Sequence, residues 1–220
     1  MRRVSIAGSR FTGLDNQPEA DGLIDIVIVN AAEVSRSYYA RDYDVNAKQL
    51  PKCWSLNTQT PAPDVPDDRR ESARCMDCVQ NVRGSGGGGG RACRFHQRLA
   101  VVEEQALDVV YQLQVPASSI FGSARSKSAM PLQAYAKFLS GHQTPSLAVV
   151  TRISFDRSSP VPKLFFYPQR PLEEDELDRV RFMVDHPDTL EAIAFDPKSS
   201  VVGRGSPFAK TEGFDINSLS

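Results

Sequence analysis

The sequence predicts a mainly β (α+β) protein: a small, closed or half-closed antiparallel barrel with a cysteine-containing insertion and a few helices. Three observations predict it. Short runs rich in β-branched residues recur along the chain, at 4–7, 23–29 and 146–155. Helical spacing is confined to short stretches near 131–140 and 172–184. Between the early and late strands, residues 51–98 lose the strand pattern and gather every cysteine of the chain.

Each element follows from its residues. The run Leu-Ile-Asp-Ile-Val-Ile-Val at 23–29 is long and β-branched enough to be central in a sheet, and 35–40, with adjacent Tyr38 and Tyr39, continues as another strand. Residues 57–72 hold three prolines and no apolar period, which makes them a loop. The tract RGSGGGGGR at 83–91 reads as flexible. From 97 to 111 the apolar residues fall into two groups around Glu103, Glu104 and Gln105, which fits two strands and a turn; Gln112 to Val115 alternates and Pro116 ends it. Pro131 opens a helix whose Leu132, Tyr135, Ala136 and Leu139 share a face, with Gly141 placed to stop it. Residues 146–155 and 163–167 are strands about a hairpin, and an acid-rich first turn opens a helix over 172–184.

The chain has 220 residues, 40% of them hydrophobic, and 26 Lys+Arg against 27 Asp+Glu. With a mean hydropathy of −0.34 this is an ordinary globular composition, long enough to bury a core. No apolar run approaches the roughly 18 residues that cross a bilayer, and MRRVSIAGSRF has no apolar stretch of a secretory leader. A membrane protein is excluded, and a cytoplasmic location is expected. The near-zero net charge of −1 excludes a uniformly basic nucleic-acid coat. It hides an asymmetry, however. Residues 69–98 carry seven Arg against one Glu and one Asp, whereas 171–196 carry nine acids against Arg179 and Arg181. A basic middle suits an anionic ligand, and an acidic later region suits competition for that site or recruitment of another protein.

Cys53, Cys75, Cys78 and Cys93 fall within 41 residues, spaced C-x21-C-x2-C-x14-C. Clustered intracellular thiols more often hold metal than form disulfides, and four of them suit tetrahedral Zn²⁺. His96, three residues past Cys93, offers a competing set of Cys75, Cys78, Cys93 and His96. The four-cysteine set is preferred because it orphans no thiol. A redox CxxC is disfavoured, since no βαβ pattern surrounds Cys75. The insertion has few apolar residues, so a structural ion would supply the stability that burial cannot. A closed four-thiolate shell leaves no position for substrate.

Catalytic patterns are scarce. His96, His142 and His186 are dispersed, no GxSxG occurs, and the glycine tract lacks a phosphate-loop lysine. Scattered carboxylates such as Asp25, Glu33 and Asp156 leave a metal-dependent nuclease as an alternative, and no catalytic residue is assigned. Aromatics interleaved with bases are better represented: Arg36, Tyr38, Tyr39 and Arg41; Lys52 and Trp54; Arg83, Arg91 and Arg94 beside Phe95. Rings stack unpaired bases for about 1–3 kcal/mol each while arginines follow the phosphates.

The run Cys53-Trp54-Ser55, then Cys75-x-x-Cys78 with Gln80-Asn81, Gly84-Ser85-Gly86, Ala92-Cys93-Arg94 and Arg98-Leu99, resembles a group of phage-encoded single-stranded DNA-binding proteins. Pro116-Ala-Ser-Ser-Ile-Phe121-Gly122 and Leu132-x-x-Tyr135 look like its downstream companions, and the resemblance spans roughly Val4 to Arg170. It implies an OB-like barrel over 1–200 with a zinc-binding insertion at 51–98, followed by a flexible tail at 201–220. It implies sequence-independent binding of single-stranded DNA in phage replication or recombination, in the cytoplasm of a bacterial host. The four cysteines carry over as ligands of structural zinc. Proteins of this kind often end in an acidic recruiting tail, but 211–220 holds only Glu212 and Asp215. The acidic stretch 172–191 is then the expected dock for replication proteins, and homo-oligomers are admitted. A zinc-ribbon module that binds the transcription or replication machinery is the other non-enzymatic reading.

Overall fold

A computed structural model describes residues 1–7, 9–16, 19–40, 50–86 and 89–197. The expected tail at 201–220 and Arg41 lie outside these described residues. The described residues form ten strands: β1 (Arg2–Ala7), β2 (Arg10–Thr12), β3 (Glu19–Asp21), β4 (Leu23–Ala31), β5 (Ser35–Tyr38), β6 (Cys53–Ser55), β7 (Cys93–Glu103), β8 (Ala106–Pro116), β9 (Val149–Phe155) and β10 (Leu164–Pro171). They form one sheet in the order β10-β9-β4-β7-β8-β1-β2-β3, with β5 beside β7 and β6 beside β5. The sheet curls into a half-barrel. Its ends, β10 and β3, do not pair with each other among the described residues. One correction concerns strand direction. β1 runs parallel to β8, Arg2 opposite Tyr111 and Val4 opposite Leu113, so the sheet is not wholly antiparallel.

Strand β4 is central, between β9 and β7, as its β-branched run predicts. Both of its faces are covered. Ile24, Ile26 and Ile28 point to one side with Leu99, Val101, Leu113 and Val115. Val27 and Val29 point to the other with Ala100, Val102 and Val110. That two-sided burial explains a nearly continuous apolar run in place of alternation. The first face is closed by α1 (Ala117–Ile120) through Ile120 and by α2 (Leu132–Gly141) through Leu132, Tyr135 and Leu139. The second is closed by α3 (Glu174–Met183) and α4 (Pro187–Ile193) through Val180, Met183 and Ala192. Each of the larger apolar side chains among these contributes about 1.5–3 kcal/mol by leaving water.

Local chemistry sets the helix ends. Glu173 and Glu176 form a capping box on α3. His142 and Gln143 end α2, their amides donating to the carbonyls of Leu139 and Ser140. The stop falls beyond Gly141 because Gln143 itself takes the left-handed conformation, φ 54°.

Candidate metal centre and nucleic-acid interface

The site begins with strand register. β5 lies between β6 and β7, with Tyr38 opposite both Cys53 and Cys93. In the next row on that face, Arg36 stands opposite Ser55 and Phe95. Because facing residues share a side of the sheet, both rows point one way. Between β6 and β7 the chain leaves and returns, and a 3₁₀ turn at Cys75–Asp77 places Cys75 and Cys78 over the same face. The Cys75 amide donates to the Gln59 carbonyl at 2.8 Å, which anchors that turn.

All four cysteines therefore line one pocket, together with Arg36 and Tyr38. The cysteines are unpaired by disulfides. Burial pushes the Cys93 thiol up to about 12, and Arg36 acts against that rise. Burial raises the Cys53 thiol as well, and the other thiols add to the effect. Among the described residues, no three His, Cys, Asp or Glu side chains are already arranged as a metal-holding group. The chemistry of the donor set and its shared pocket fit a thiophilic ion once the side chains close on it.

His96 does not belong to this set. Strand alternation sends it, with Trp54 and Arg98, to the opposite face, where its ring stacks on Phe195 with centroids 6.3 Å apart. Burial lowers its pKa to about 3, so it is neutral there at ordinary pH.

The insertion has a small core of its own, Trp54, Ala62 and Val65, with Phe195 packed against it. Trp54 Nε1 donates to Asp64 at 3.1 Å. Lys52 pairs with Glu71 at 2.7 Å, and Gln80 donates to the same carboxylate at 2.9 Å. At the ends of the glycine tract, whose residues 87 and 88 lie outside the described residues, the amides of Gly84 and Gly86 both donate to the Gly90 carbonyl. A Cβ on Gly86 would stand 2.7 Å from the Arg91 carbonyl, so that glycine permits a close backbone approach.

The expected DNA contacts separate into two groups. Arg36, Tyr38 and Trp54 are only 2%, 7% and 6% exposed, so in this fold they are internal. Tyr39, Lys52 and Arg94 are half-buried, while Arg83 and Arg91 are exposed. Sequence reasoning left out exposed Arg69 and Arg74 on the same insertion. It also left out a ridge of Met76, Val79 and Val82, exposed by 69%, 65% and 60%. Near the base of the insertion, Phe95 meets Phe121 edge-on at 5.4 Å, and Phe121 remains open to solvent.

The carboxylates considered for a nuclease do not assemble. Asp25 accepts two bonds from Arg152, at 2.7 and 2.6 Å. Asp156 accepts from Ser158 and pairs with Arg125 at 2.9 Å, and Glu33 is exposed. Among the described residues, no helix is long and apolar enough to cross a membrane. No protein-family model, curated protein or solved structure matches the chain.

Proposed function

We propose that this chain is a non-enzymatic, zinc-stabilised protein that binds single-stranded DNA without sequence preference. Its curled sheet would be OB-like, and its setting phage DNA replication or recombination in the cytoplasm of a bacterial host. The observation that carries the reading is the convergence of Cys53, Cys75, Cys78 and Cys93 on one pocket beneath an arginine-bearing insertion. Cys53 and Cys93 would hold zinc from the sheet, and Cys75 and Cys78 from the turn above it. Zinc bound there supplies a cross-link between sheet and insertion and no open position for chemistry.

Arg74, Arg83 and Arg91 provide exposed positive charge on the insertion. They suit phosphate contacts, and the open edge of Phe121, with half-buried Tyr39, suits base stacking. Tyr38 and Trp54 hold the insertion together in place of touching DNA. The acidic stretch 172–191 is the proposed dock for replication proteins.

The test is a titration of zinc-loaded protein with end-labelled oligo-dT and the matching duplex, followed by anisotropy at low and moderate salt. Binding that prefers the single strand and weakens with salt supports the proposal. Absence of binding to either, with zinc confirmed in the sample, overturns it. The exposed ridge of Met76, Val79 and Val82 would then favour a zinc-ribbon module that docks on protein.

A further inference from the structure

Arg36 has an unusual setting for an arginine. It is 2% exposed and lines the pocket that the four thiols share. Its Nη1 donates to the Cys75 carbonyl at 3.3 Å and its Nη2 to Asn81 Oδ1 at 3.2 Å. The guanidinium lies 4.0 Å from the centre of the Phe95 ring. Among the described residues its buried Nε has no hydrogen-bond partner. Both oxygen partners are neutral, and no carboxylate pairs with Arg36 among the described residues. Glu71 lines the same pocket but is engaged by Lys52 and Gln80.

Arg98, the other deeply buried arginine, also leaves one donor, Nη1, without a hydrogen-bond partner among the described residues, but its setting differs. Arg98 donates from Nε to the Ile193 carbonyl at the end of α4, where the helix dipole is negative. Arg36 has no helix end. Neutral oxygens and a ring ease the burial of a cation but supply no counter-charge, and protonated thiols, being neutral, supply none either. Four thiolates around a divalent ion carry a net charge of −2, which would supply it.

We infer that Arg36 is a positioning residue of the thiol centre: its buried guanidinium supplies the counter-charge that lets four thiolates stand together around a metal ion. The inference rests on the metal reading of the pocket. It assigns the Nε–H to the ligand cluster and removes Arg36 from the DNA interface. Lysine is a poor substitute, because a point charge cannot serve the Cys75 carbonyl, Asn81 and a thiolate with one planar fork.

The experiment measures zinc affinity of the full chain by competition with a chromophoric chelator, for the wild type, Arg36→Gln and Arg36→Lys. Melting temperatures are recorded with and without zinc. Loss of an outer-shell partner weakens metal binding about 10- to 100-fold, so that loss is expected for Arg36→Gln and a smaller one for Arg36→Lys. The melting temperature of Arg36→Gln should fall more in the zinc-loaded form than in the zinc-free form. Cobalt-loaded variants report the same ordering through their thiolate-to-metal absorption, and Arg36→Lys carries the comparison if Arg36→Gln does not fold. Wild-type zinc affinity in both variants overturns the role of Arg36 and leaves the metal centre standing, as does an equal loss of melting temperature with and without zinc. A wild-type chain that takes up no zinc overturns both.

Discussion

The Arg98 guanidinium lies 4.7 Å from the centre of the Phe195 ring, tying the segment after α4 to the strand that begins with Cys93. The same ring stacks on Trp54 at 6.0 Å and on His96 at 6.3 Å. Phe195 thus joins the insertion, the sheet and the C-terminal helices at one point. Phe195→Ala should destabilise the protein by about 1–3 kcal/mol, below the full cost of a core phenylalanine because this ring is half-buried. Denaturant unfolding gives the magnitude. Hydrogen exchange gives the location, with Ala62 and Val65 amides losing protection more than those of β4. Uniform loss across the sheet would contradict the joining role.

A second consequence of that cluster appears in acid. His96 is neutral in the fold, its pKa lowered by burial to about 3 from an ordinary 6.5. Unfolding lets it take up a proton below pH 6.5, so its contribution is intact above that value and is lost as pH falls towards 3. Glu176, which Arg170 holds down to about 2, acts in a lower window, from 4.5 to 2. Stability should therefore decline in two steps. His96→Gln should flatten the step between pH 6.5 and 4.5, worth about 1–3 kcal/mol at the lower end. Urea unfolding at half-unit pH intervals checks it, and an unchanged upper step in the variant would refute it.

Much of the scaffold is legible in the sequence, for local reasons. The β-branched run of β4, the polar break between β7 and β8, and the shared face of Leu132, Tyr135 and Leu139 are short-range signals. β2 and β3, of three residues each, are too short to show a period, and Cys53–Ser55 became β6 only because β5 offered it an edge. The parallel partnership of β1 and β8 joins residues more than 100 positions apart, and nothing local announces it. At the site, the four cysteines were visible as a set. The burial of Arg36, Tyr38 and Trp54 was not, because an Arg-Ser-Tyr-Tyr-Ala-Arg string reads alike on a groove and on a covered strand. Only the register of β5 between β6 and β7 decides which.

Glu103 is fully buried at the end of β7, and its carboxylate accepts from the Asp15 amide at 3.0 Å, the Asn16 amide at 3.2 Å and the Tyr111 hydroxyl at 3.1 Å. It pins the loop between β2 and β3 to the central hairpin. Glu103→Ala leaves those donors unsatisfied and should cost about 2–4 kcal/mol. Glu103→Gln keeps an oxygen on Cδ to receive them and should recover most of the loss. Thermal unfolding of both variants tests the ordering, and equal losses would mean that side-chain volume, not the acceptor, matters.

The burial pattern also separates the two kinds of DNA-contact candidate. Arg74, Arg83 and Arg91 are exposed, so replacing all three with alanine should remove up to three phosphate contacts without unfolding the chain. For single strands each contact contributes about 0.7 to the slope of log K against log salt. The triple variant should therefore lose up to about 2 in that slope and bind roughly 10- to 100-fold more weakly at low salt. Trp54→Phe keeps a ring against Phe195 and gives up the bond to Asp64 and part of the packed area. Its affinity for oligo-dT should stay within about twofold of wild type, whereas loss of a stacked base would cost about 1–3 kcal/mol. Anisotropy titrations at four salt concentrations measure both. An unchanged slope in the arginine variant, or a large loss in Trp54→Phe, would move the binding surface off the insertion's exposed rim and onto the covered face.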